Sequence, residues 1–318
     1  MLSERRTLKP GVSVATVTLF NTKDEEIDVV AMKKHVVRLA KAGVNSIVLA
    51  GSNGEGAHLS HEEKTALIRA IRGTLDAAGF GRLPIISNCS AQSIHEASSF
   101  CREFHEAGAD YALILPPCYF KGAYSRQNII DFYEEIATVS PIPVIIYNYP
   151  PVVSGTDLDS DLIIKLASHP NITGCKFTCA NMGKITRVAS TVGENTSSSP
   201  ESGFHALVGL ADCIASTLTA GGTGVIVGLG NVLPKSCVKL FDLCVGGGKP
   251  EEIRKLQQLL AHTDGTLVAG GVTSVKSVLQ TYFGYGGNPR RPLPQASPTD
   301  AKSWAEAIKE AIDYENSI

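Results

Sequence analysis

Short runs of apolar, often β-branched residues alternate along the chain with longer segments in which apolar positions recur at helical spacing. The eight runs that predict strands are VSVATVTLF, NSIVLAG, LPIISNC, YALILPP, IPVIIYNY, ITGCKFT, FHALVG and TGVIVGLG. Some of the intervening segments begin with the spacing of a helix capping box, as in Ser60 with Glu63 and Ser93 with Glu96. Eight strand–helix repeats predict an α/β fold in which a parallel sheet closes into a (β/α)8 TIM barrel.

After the eighth run the pattern changes to helices alone. Helical periodicity is predicted over residues 233–245, 250–263, 271–283 and 299–314, and the first of these segments completes the barrel. We therefore predict a catalytic barrel domain over residues 1–245 and a C-terminal helical extension, packed on the barrel, over residues 246–318. A two-domain dinucleotide-binding fold would need a G-x-G-x-x-G turn, and GSNGEG does not match that pattern.

The composition favours a protein that acts on small molecules. The 318 residues are 43% hydrophobic and 19% charged, and the net charge of -2 gives no one-signed field for nucleic acid or an anionic membrane. No run of about 18 apolar residues predicts a membrane span. The first residues lack a secretory signal, and eight scattered cysteines are typical of a reducing, cytoplasmic compartment. Cys175 and Cys179 lack the second ligand pair of a zinc site, so we expect no metal.

A lysine lies in the middle of the sixth predicted strand. Because side chains alternate along a strand, Gly174, Lys176 and Thr178 share the inward face of the barrel, whereas Cys175 and Phe177 face the helices. A lysine near a strand end can instead extend its amine to water, and this strand alone leaves that alternative open. A buried amine between small neighbours can lose its proton and attack a ketone, which makes Lys176 the candidate nucleophile.

Neighbouring strands end in groups that complement such an amine. The loop after the second strand places Ser52 and Asn53 among glycines, where backbone amides can approach an anion. Tyr119 follows the fourth strand, and Tyr147 lies on the inward face of the fifth. A tight turn and packed tyrosine rings are the simpler interpretations. Since barrel enzymes place their sites at the carboxyl ends of the strands, the combination indicates aldol addition or cleavage of a 2-oxo acid.

Six motifs resemble one family over nearly the whole chain. They are GSNGEG, PPCYFKG, YNYP, GCKFT and GGTGVIVGLGN at strand ends, and FGYGGNPRRPL among the last helices. In this combination they are similar to the family of dihydrodipicolinate synthase and N-acetylneuraminate lyase, the pyruvate-dependent class I aldolases. The resemblance implies a carbon–carbon lyase that forms a Schiff base with pyruvate, uses no metal or organic cofactor, and assembles as a homo-oligomer, either a dimer or a tetramer.

The resemblance also assigns roles to individual positions. It makes Lys176 the Schiff-base lysine, Tyr147 the acid–base phenol, and Ser52 and Asn53 the groups that bind the carboxylate. Tyr119 would relay protons through Ser52 and reach into the site of a neighbouring subunit. Two further positions lie where the family lines the pyruvate pocket: Gly209 and Ile226.

One segment departs from the synthase branch of the family, which has an arginine shortly after the strand-five tyrosine to hold the carboxylate of the aldehyde substrate. This chain has Val152 and Val153 there, and valine cannot replace a charge-assisted hydrogen bond. We therefore expect an aldolase for 4-hydroxy-2-oxo acids or 3-deoxy-2-oxo sugar acids, with Thr178 holding the substrate hydroxyl. The alternatives are dihydrodipicolinate synthase, a phosphate-sugar aldolase that uses GGTGVIVGLGN to hold phosphate, and a non-catalytic barrel that binds a 2-oxo acid.

Overall fold

Eight parallel strands pair in chain order and close into a barrel in the computed structural model, which describes residues 6–193 and 203–318. The strands are β1 (Gly11–Ala15), β2 (Ser46–Leu49), β3 (Ile85–Asn88), β4 (Tyr111–Ile114), β5 (Val144–Asn148), β6 (Ile172–Phe177), β7 (His205–Val208) and β8 (Gly224–Val227). The predicted (β/α)8 fold is confirmed. The strands are shorter than the apolar runs, whose last residues form the loops at the barrel mouth. Residues 1–5, which belong to the segment where the sequence predicts no secretory signal, lie outside the described ranges.

Within the described ranges, one helix follows each strand and covers the outside of the barrel. These helices are α1 (Val29–Lys41), α2 (His61–Ala77), α3 (Ile94–Ala107), α4 (Arg126–Val139), α5 (Ser160–Ala167), α6 (Met182–Val192), α7 (Ile214–Thr219) and α8 (Pro234–Val245). Ser60 begins α2 with the predicted capping box, whereas Ser93 caps α3 by accepting only from the backbone N–H of Glu96. None of the described helices is long and apolar enough to cross a membrane.

Three helices follow the barrel in the described part of the chain: α9 (Pro250–Phe283), α10 (Pro298–Ala307) and α11 (Lys309–Ser317). The sequence predicts two separate helices over 250–263 and 271–283, and the structure shows one element that is interrupted at Gly271. The backbone of Gly271 has φ 62° and ψ -156°, a conformation that glycine adopts without steric cost. The interruption lets α9 change direction above the barrel. The boundary at residue 245 between the two predicted domains stays a prediction.

Two apolar layers hold these elements together. One fills the inside of the barrel, where inward side chains from the strands meet, and it includes Ile86, Tyr111, Ile145, Leu207 and Ile226. The other lies between the outward faces of the strands and the apolar faces of the helices. This arrangement leaves the carboxyl ends of the strands as the open end of the barrel, above the inner layer.

A buried ion pair ties α9 to the loop that follows β2. Lys276 Nζ donates to Glu55 Oε1 at 2.5 Å, and the two side chains are 0% and 1% exposed. The backbone N–H of Arg290 donates to the other oxygen, Glu55 Oε2, at 2.8 Å. Burial lowers the pKa of Lys276 to about 8, although the neighbouring Glu55 carboxylate opposes that shift. The GSNGEG loop is therefore held from the side of the C-terminal helices.

Candidate active site

A cavity of about 220 Å³ lies at the carboxyl ends of the strands, between the barrel mouth and α9. Loops after β2, β5, β6, β7 and β8 form its base, and the middle of α9 forms one wall. Six of the residues predicted from the sequence line this cavity: Ser52, Asn53, Tyr147, Lys176, Thr178 and Gly209. They come from four different strand ends, so closure of the barrel is what brings them together.

The amine of Lys176 lies inside this cavity. Its side chain is on the inward face of β6 and only 5% of the residue is exposed, while Cys175 and Phe177 pack in the outer layer as the alternation predicts. Nζ lies 4.2 Å from the centroid of the Tyr147 ring. Lys176 forms no ion pair with any described residue. A buried amine without a carboxylate partner costs folding free energy, which favours a chemical role for it.

Two phenols and a serine lie beside that amine. The hydroxyl oxygens of Tyr147 and Ser52 lie 3.2 Å apart and share one hydrogen bond. The ring of Tyr149 stacks on that of Tyr147, with centroids 5.8 Å apart and planes at 22°. Burial raises the pKa of the Tyr149 phenol, and the neighbouring Tyr147 adds to this effect. The Ser52–Tyr147 pair is a short path along which a proton can move between the cavity and the loop after β2.

The hydroxyl of Thr178 has no hydrogen-bond partner among the described residues, although its oxygen Oγ1 is buried. Gly209, on the loop after β7, makes this position possible, because a Cβ atom built there would lie 2.0 Å from Thr178 Oγ1. Gly228 leaves room for Asn53 in the same way, because a Cβ atom built on Gly228 would lie 2.3 Å from Asn53 Nδ2. Buried polar groups are normally hydrogen-bonded, so the unpaired hydroxyl at the cavity is available to a ligand.

Two predicted site residues do not line the cavity. Tyr119 lies in the loop after β4 and is 79% exposed, with its ring against that of Phe120, which is also on the surface. Ile226 is fully buried in the inner layer of the barrel, in the cluster that contains Tyr147. One chain thus does not bring Tyr119 to the lysine. Its expected role in a neighbouring subunit stays a prediction.

Asp264, on α9, lines the cavity and is a residue that the sequence interpretation missed. It is 4% exposed, and its Oδ2 accepts from the backbone N–H groups of Ala211 at 2.8 Å and Asp212 at 3.3 Å. Burial raises the pKa of this carboxyl group to about 6. A signal was present in the sequence, since Asp264 falls four positions after Leu260 on the apolar face of its helix.

The arrangement suits chemistry at a carbonyl group. A buried amine can form an imine with a ketone, and the adjacent phenol and hydroxyls can move the protons that imine formation requires. Among residues 6–193 and 203–318, no group of three or more His, Cys, Asp or Glu side chains is placed to hold a metal ion. The cavity therefore offers nucleophilic and acid–base groups from the chain itself.

Residues 9–311 match the model of the family described as Dihydrodipicolinate synthetase family. The chain belongs to this family. The family prediction made from the motifs is confirmed. The assignment of Lys176 as the Schiff-base lysine stays a prediction. Membership also makes the chain a carbon–carbon lyase of the class I aldolase type, as predicted.

Relatives with similar sequences cover almost the whole chain. It is 43% identical to the L-threo-3-deoxy-hexylosonate aldolase of Aspergillus niger, over 98% of this chain and 97% of that protein. It is 42% identical to a protein of Emericella nidulans named "Probable 4-hydroxy-2-oxoglutarate aldolase, mitochondrial", over 98% of each. Among solved structures, a dihydrodipicolinate synthase family protein from Coccidioides immitis superposes with a TM-score of 0.86, at 29% identity and 98% coverage of both chains.

Proposed function

We propose that this member of the dihydrodipicolinate synthetase family cleaves a 3-deoxy-2-oxo sugar acid or another 4-hydroxy-2-oxo acid to pyruvate and an aldehyde, through an imine on Lys176. The observation that carries the proposal is the position of the Lys176 amine, unpaired and inside the cavity, 4.2 Å from the ring centroid of Tyr147. The names of the Aspergillus niger and Emericella nidulans relatives, both aldolases for acids of these classes, support it.

The proposed reaction begins with attack of Lys176 Nζ on the keto carbon C2. Loss of water from the carbinolamine gives an iminium ion, which can accept electrons from a neighbouring bond. Tyr147, having given its proton to the departing water, then takes the proton of the 4-hydroxyl as the C3–C4 bond breaks, so that the aldehyde leaves and the electrons of that bond form an enamine. Protonation of the enamine at C3 and addition of water release pyruvate and restore the free amine.

The other residues of the cavity supply proton transfer and binding in this proposal. Tyr147 exchanges protons with the carbinolamine, and Ser52, which shares a hydrogen bond with it, continues the path. Ser52 and Asn53 hold the substrate carboxylate together with the loop amides, while the unpaired hydroxyl of Thr178 takes the 4-hydroxyl of the substrate. Gly209 keeps the space that Thr178 occupies, and Ile226 packs beneath the site as part of the inner layer.

The synthase alternative is disfavoured by the wall after β5. Val152 lines the cavity and Val153 is 1% exposed, and no arginine lines the cavity among the described residues. The carboxylate of aspartate semialdehyde would have no cation to pair with other than the lysine that forms the imine. We therefore expect condensation of pyruvate with aspartate semialdehyde to be slower than cleavage of the best 4-hydroxy-2-oxo acid. A condensation efficiency equal to the best cleavage efficiency would replace this proposal by the synthase function.

The proposal is tested by trapping the imine. Incubation with pyruvate and borohydride, followed by peptide mass mapping, should place a reduced adduct on Lys176. The matched control is Lys165→Met, which removes a lysine from α5 whose side chain is 57% exposed and leaves the adduct unchanged. Lys176→Met should give none. An adduct only on another lysine would contradict the mechanism. An adduct on Lys176 without pyruvate release from any of the 4-hydroxy-2-oxo acids or 3-deoxy-2-oxo sugar acids tested would favour the non-catalytic barrel.

We also propose a homo-oligomer, either a dimer or a tetramer, in which Tyr119 enters a neighbouring site. The exposed rings of Tyr119 and Phe120 beside the barrel mouth support this proposal, because large exposed aromatic side chains favour an interface. Mixing inactive Tyr119→Ala and Lys176→Met chains should restore partial activity if the tyrosine acts between subunits. The cytoplasmic location predicted from the cysteines is a proposal as well, and cell fractionation tests it against the mitochondrial location in the name of one relative.

A further inference from the structure

The cavity contains two side chains that can carry a full charge near neutral pH. Among the described residues that line it, these are Lys176 on β6 and Asp264 on α9. The two do not form an ion pair with each other within the described ranges. Once Lys176 has become part of an imine, no other lysine or arginine among these lining residues remains to meet an anionic group of the substrate. The wall formed by α9 is therefore apolar apart from a single carboxylate.

Asp264 is held so that one of its oxygens stays unused. Oδ2 accepts the backbone N–H groups of Ala211 and Asp212, which fixes the orientation of the carboxylate. Oδ1 accepts no hydrogen bond from any residue in the part of the chain that the structure describes. The neighbouring positions of α9 that line the cavity, Leu267 and Val268, offer no donor. A carboxylate oxygen in such a wall lacks the donors that buried polar groups normally have, and a ligand hydroxyl would supply one.

We infer that Asp264 accepts a hydrogen bond from a hydroxyl on the aldehyde-derived end of the substrate and thereby selects uncharged polyhydroxy chains over dicarboxylic acids. The inference rests on the proposed aldolase function. With the substrate carboxylate at Ser52 and Asn53 and C2 on Lys176, the inference places the carbons beyond C4 on the side of the cavity that α9 and Asp264 line. A hydroxyl there gains a charge-assisted hydrogen bond, whereas a second carboxylate meets a like charge with no counter-ion. Val152, also in this wall, supplies no compensating positive charge.

The test compares two substrates on matched variants. Asp264→Asn keeps the size of the side chain and an oxygen that can accept from Ala211 and Asp212, but it removes the charge. The control Asp242→Asn removes a negative charge from an exposed position of α8, outside the cavity. The measured quantity is the ratio of kcat/KM for a 3-deoxy-2-oxo hexonate to kcat/KM for 4-hydroxy-2-oxoglutarate. We expect this ratio to fall about tenfold or more in Asp264→Asn, mainly through KM, and to stay unchanged in Asp242→Asn.

One further measurement separates this inference from the proposed function. The pyruvate–borohydride adduct needs no contact with Asp264, so its yield reports an intact lysine site in each variant. If the wild-type chain forms no adduct, the proposed function fails and the inference with it. If the adduct forms in all variants and the ratio in Asp264→Asn equals that of the wild type, the inference alone is overturned.

A measurement on the wild-type chain covers the case in which Asp264→Asn does not fold. The substrate is a 3-deoxy-2-oxo hexonate, compared with an analogue of the same length that keeps the 4-hydroxyl but lacks the hydroxyls beyond C4. We expect the fully hydroxylated chain to be cleaved about tenfold more efficiently, because the analogue leaves Oδ1 of Asp264 without a donor. Equal efficiency for the two substrates overturns the inference.

Discussion

The hydroxyl oxygens of Ser52 and Tyr147 lie 3.2 Å apart, although 95 positions separate the two residues in the chain. Ser52 is in the loop after β2 and Tyr147 is on β5, so the contact depends on closure of the barrel rather than on any local sequence pattern. This contact joins the loop that is proposed to hold the carboxylate to the phenol that lies over Lys176.

Tyr147→Phe tests the phenol of this pair. The ring stays in place while the hydroxyl is lost, so we expect kcat for the cleaved substrate to fall about a hundredfold or more with little change in melting temperature. Tyr119→Phe should lose less turnover, because Tyr119 is proposed to act through Ser52. Steady-state kinetics and thermal unfolding of both variants provide the measurement. Small and equal losses of kcat would return both tyrosines to a packing role.

Lys176→Met tests whether the lysine is present for chemistry rather than for stability. Methionine fills a similar volume without an amine that must shed its hydration, so we expect turnover to vanish while the melting temperature stays equal or rises. Circular dichroism and thermal unfolding are compared with those of the wild type. An inactive protein that is also unfolded would show that the lysine supports the fold. It would contradict the argument that the buried amine costs folding free energy.

Gly209→Ala tests the space that Thr178 occupies. The new methyl group would lie 2.0 Å from Thr178 Oγ1, so the threonine or the loop must move. We expect a loss of about 1–3 kcal/mol in the free energy of unfolding and a lower kcat/KM. The matched control is Gly265→Ala on α9, where a Cβ atom has no neighbour within 4 Å and helix propensity should improve slightly. Equal free energies of unfolding for the two variants in denaturant titrations would mean that the loop after β7 moves to accommodate the methyl group without loss of stability.

The buried carboxyl group of Asp264 should make stability depend on pH. Its pKa is raised by burial from 3.8 to about 6, so between these values the folded chain holds a proton that the unfolded chain releases. The stability that this proton supplies is complete below about pH 4 and is lost as the pH rises through about 6, at a cost of about 3 kcal/mol.

Asp264→Asn should therefore be more stable than the wild type at pH 7, with a gain that disappears towards pH 4. Urea unfolding at several pH values measures the difference, and Asp242→Asn, at an exposed position of α8, should show no such gain. If Asp264→Asn is less stable than the wild type at every pH, the hydrogen bonds from the backbone N–H groups of Ala211 and Asp212 depend on the negative charge of the carboxylate.

The sequence predicts the barrel and the lysine well because both depend on local alternation. Inward and outward positions on a strand follow from a period of two, so Lys176 and Tyr147 point inward as expected, with Cys175 outward. The fold class alone predicts that residues at the carboxyl ends of several strands meet in one site.

The wall formed by α9 was not predicted, because the position of a helix beyond the barrel depends on tertiary packing. The first of the two helices predicted there was expected to end at residue 263, one position before Asp264, whereas the structure continues it to Gly271, where the second predicted helix begins. Tyr119 shows a different limit. It is exposed in a single chain, so its proposed role depends on contacts with a neighbouring subunit that one sequence does not describe.

The buried pair of Glu55 and Lys276 makes the loop that is proposed to bind the carboxylate and the C-terminal helices one cooperative unit. Without the C-terminal helices, Glu55 would lose both the ammonium of Lys276 and the backbone N–H of Arg290, so the loop would lose the contacts that fix its shape. The two parts should therefore open together in local unfolding. Occupancy of the loop by a 2-oxo acid then stabilises α9 by linkage, and amide hydrogen exchange along α9 should slow when pyruvate is added.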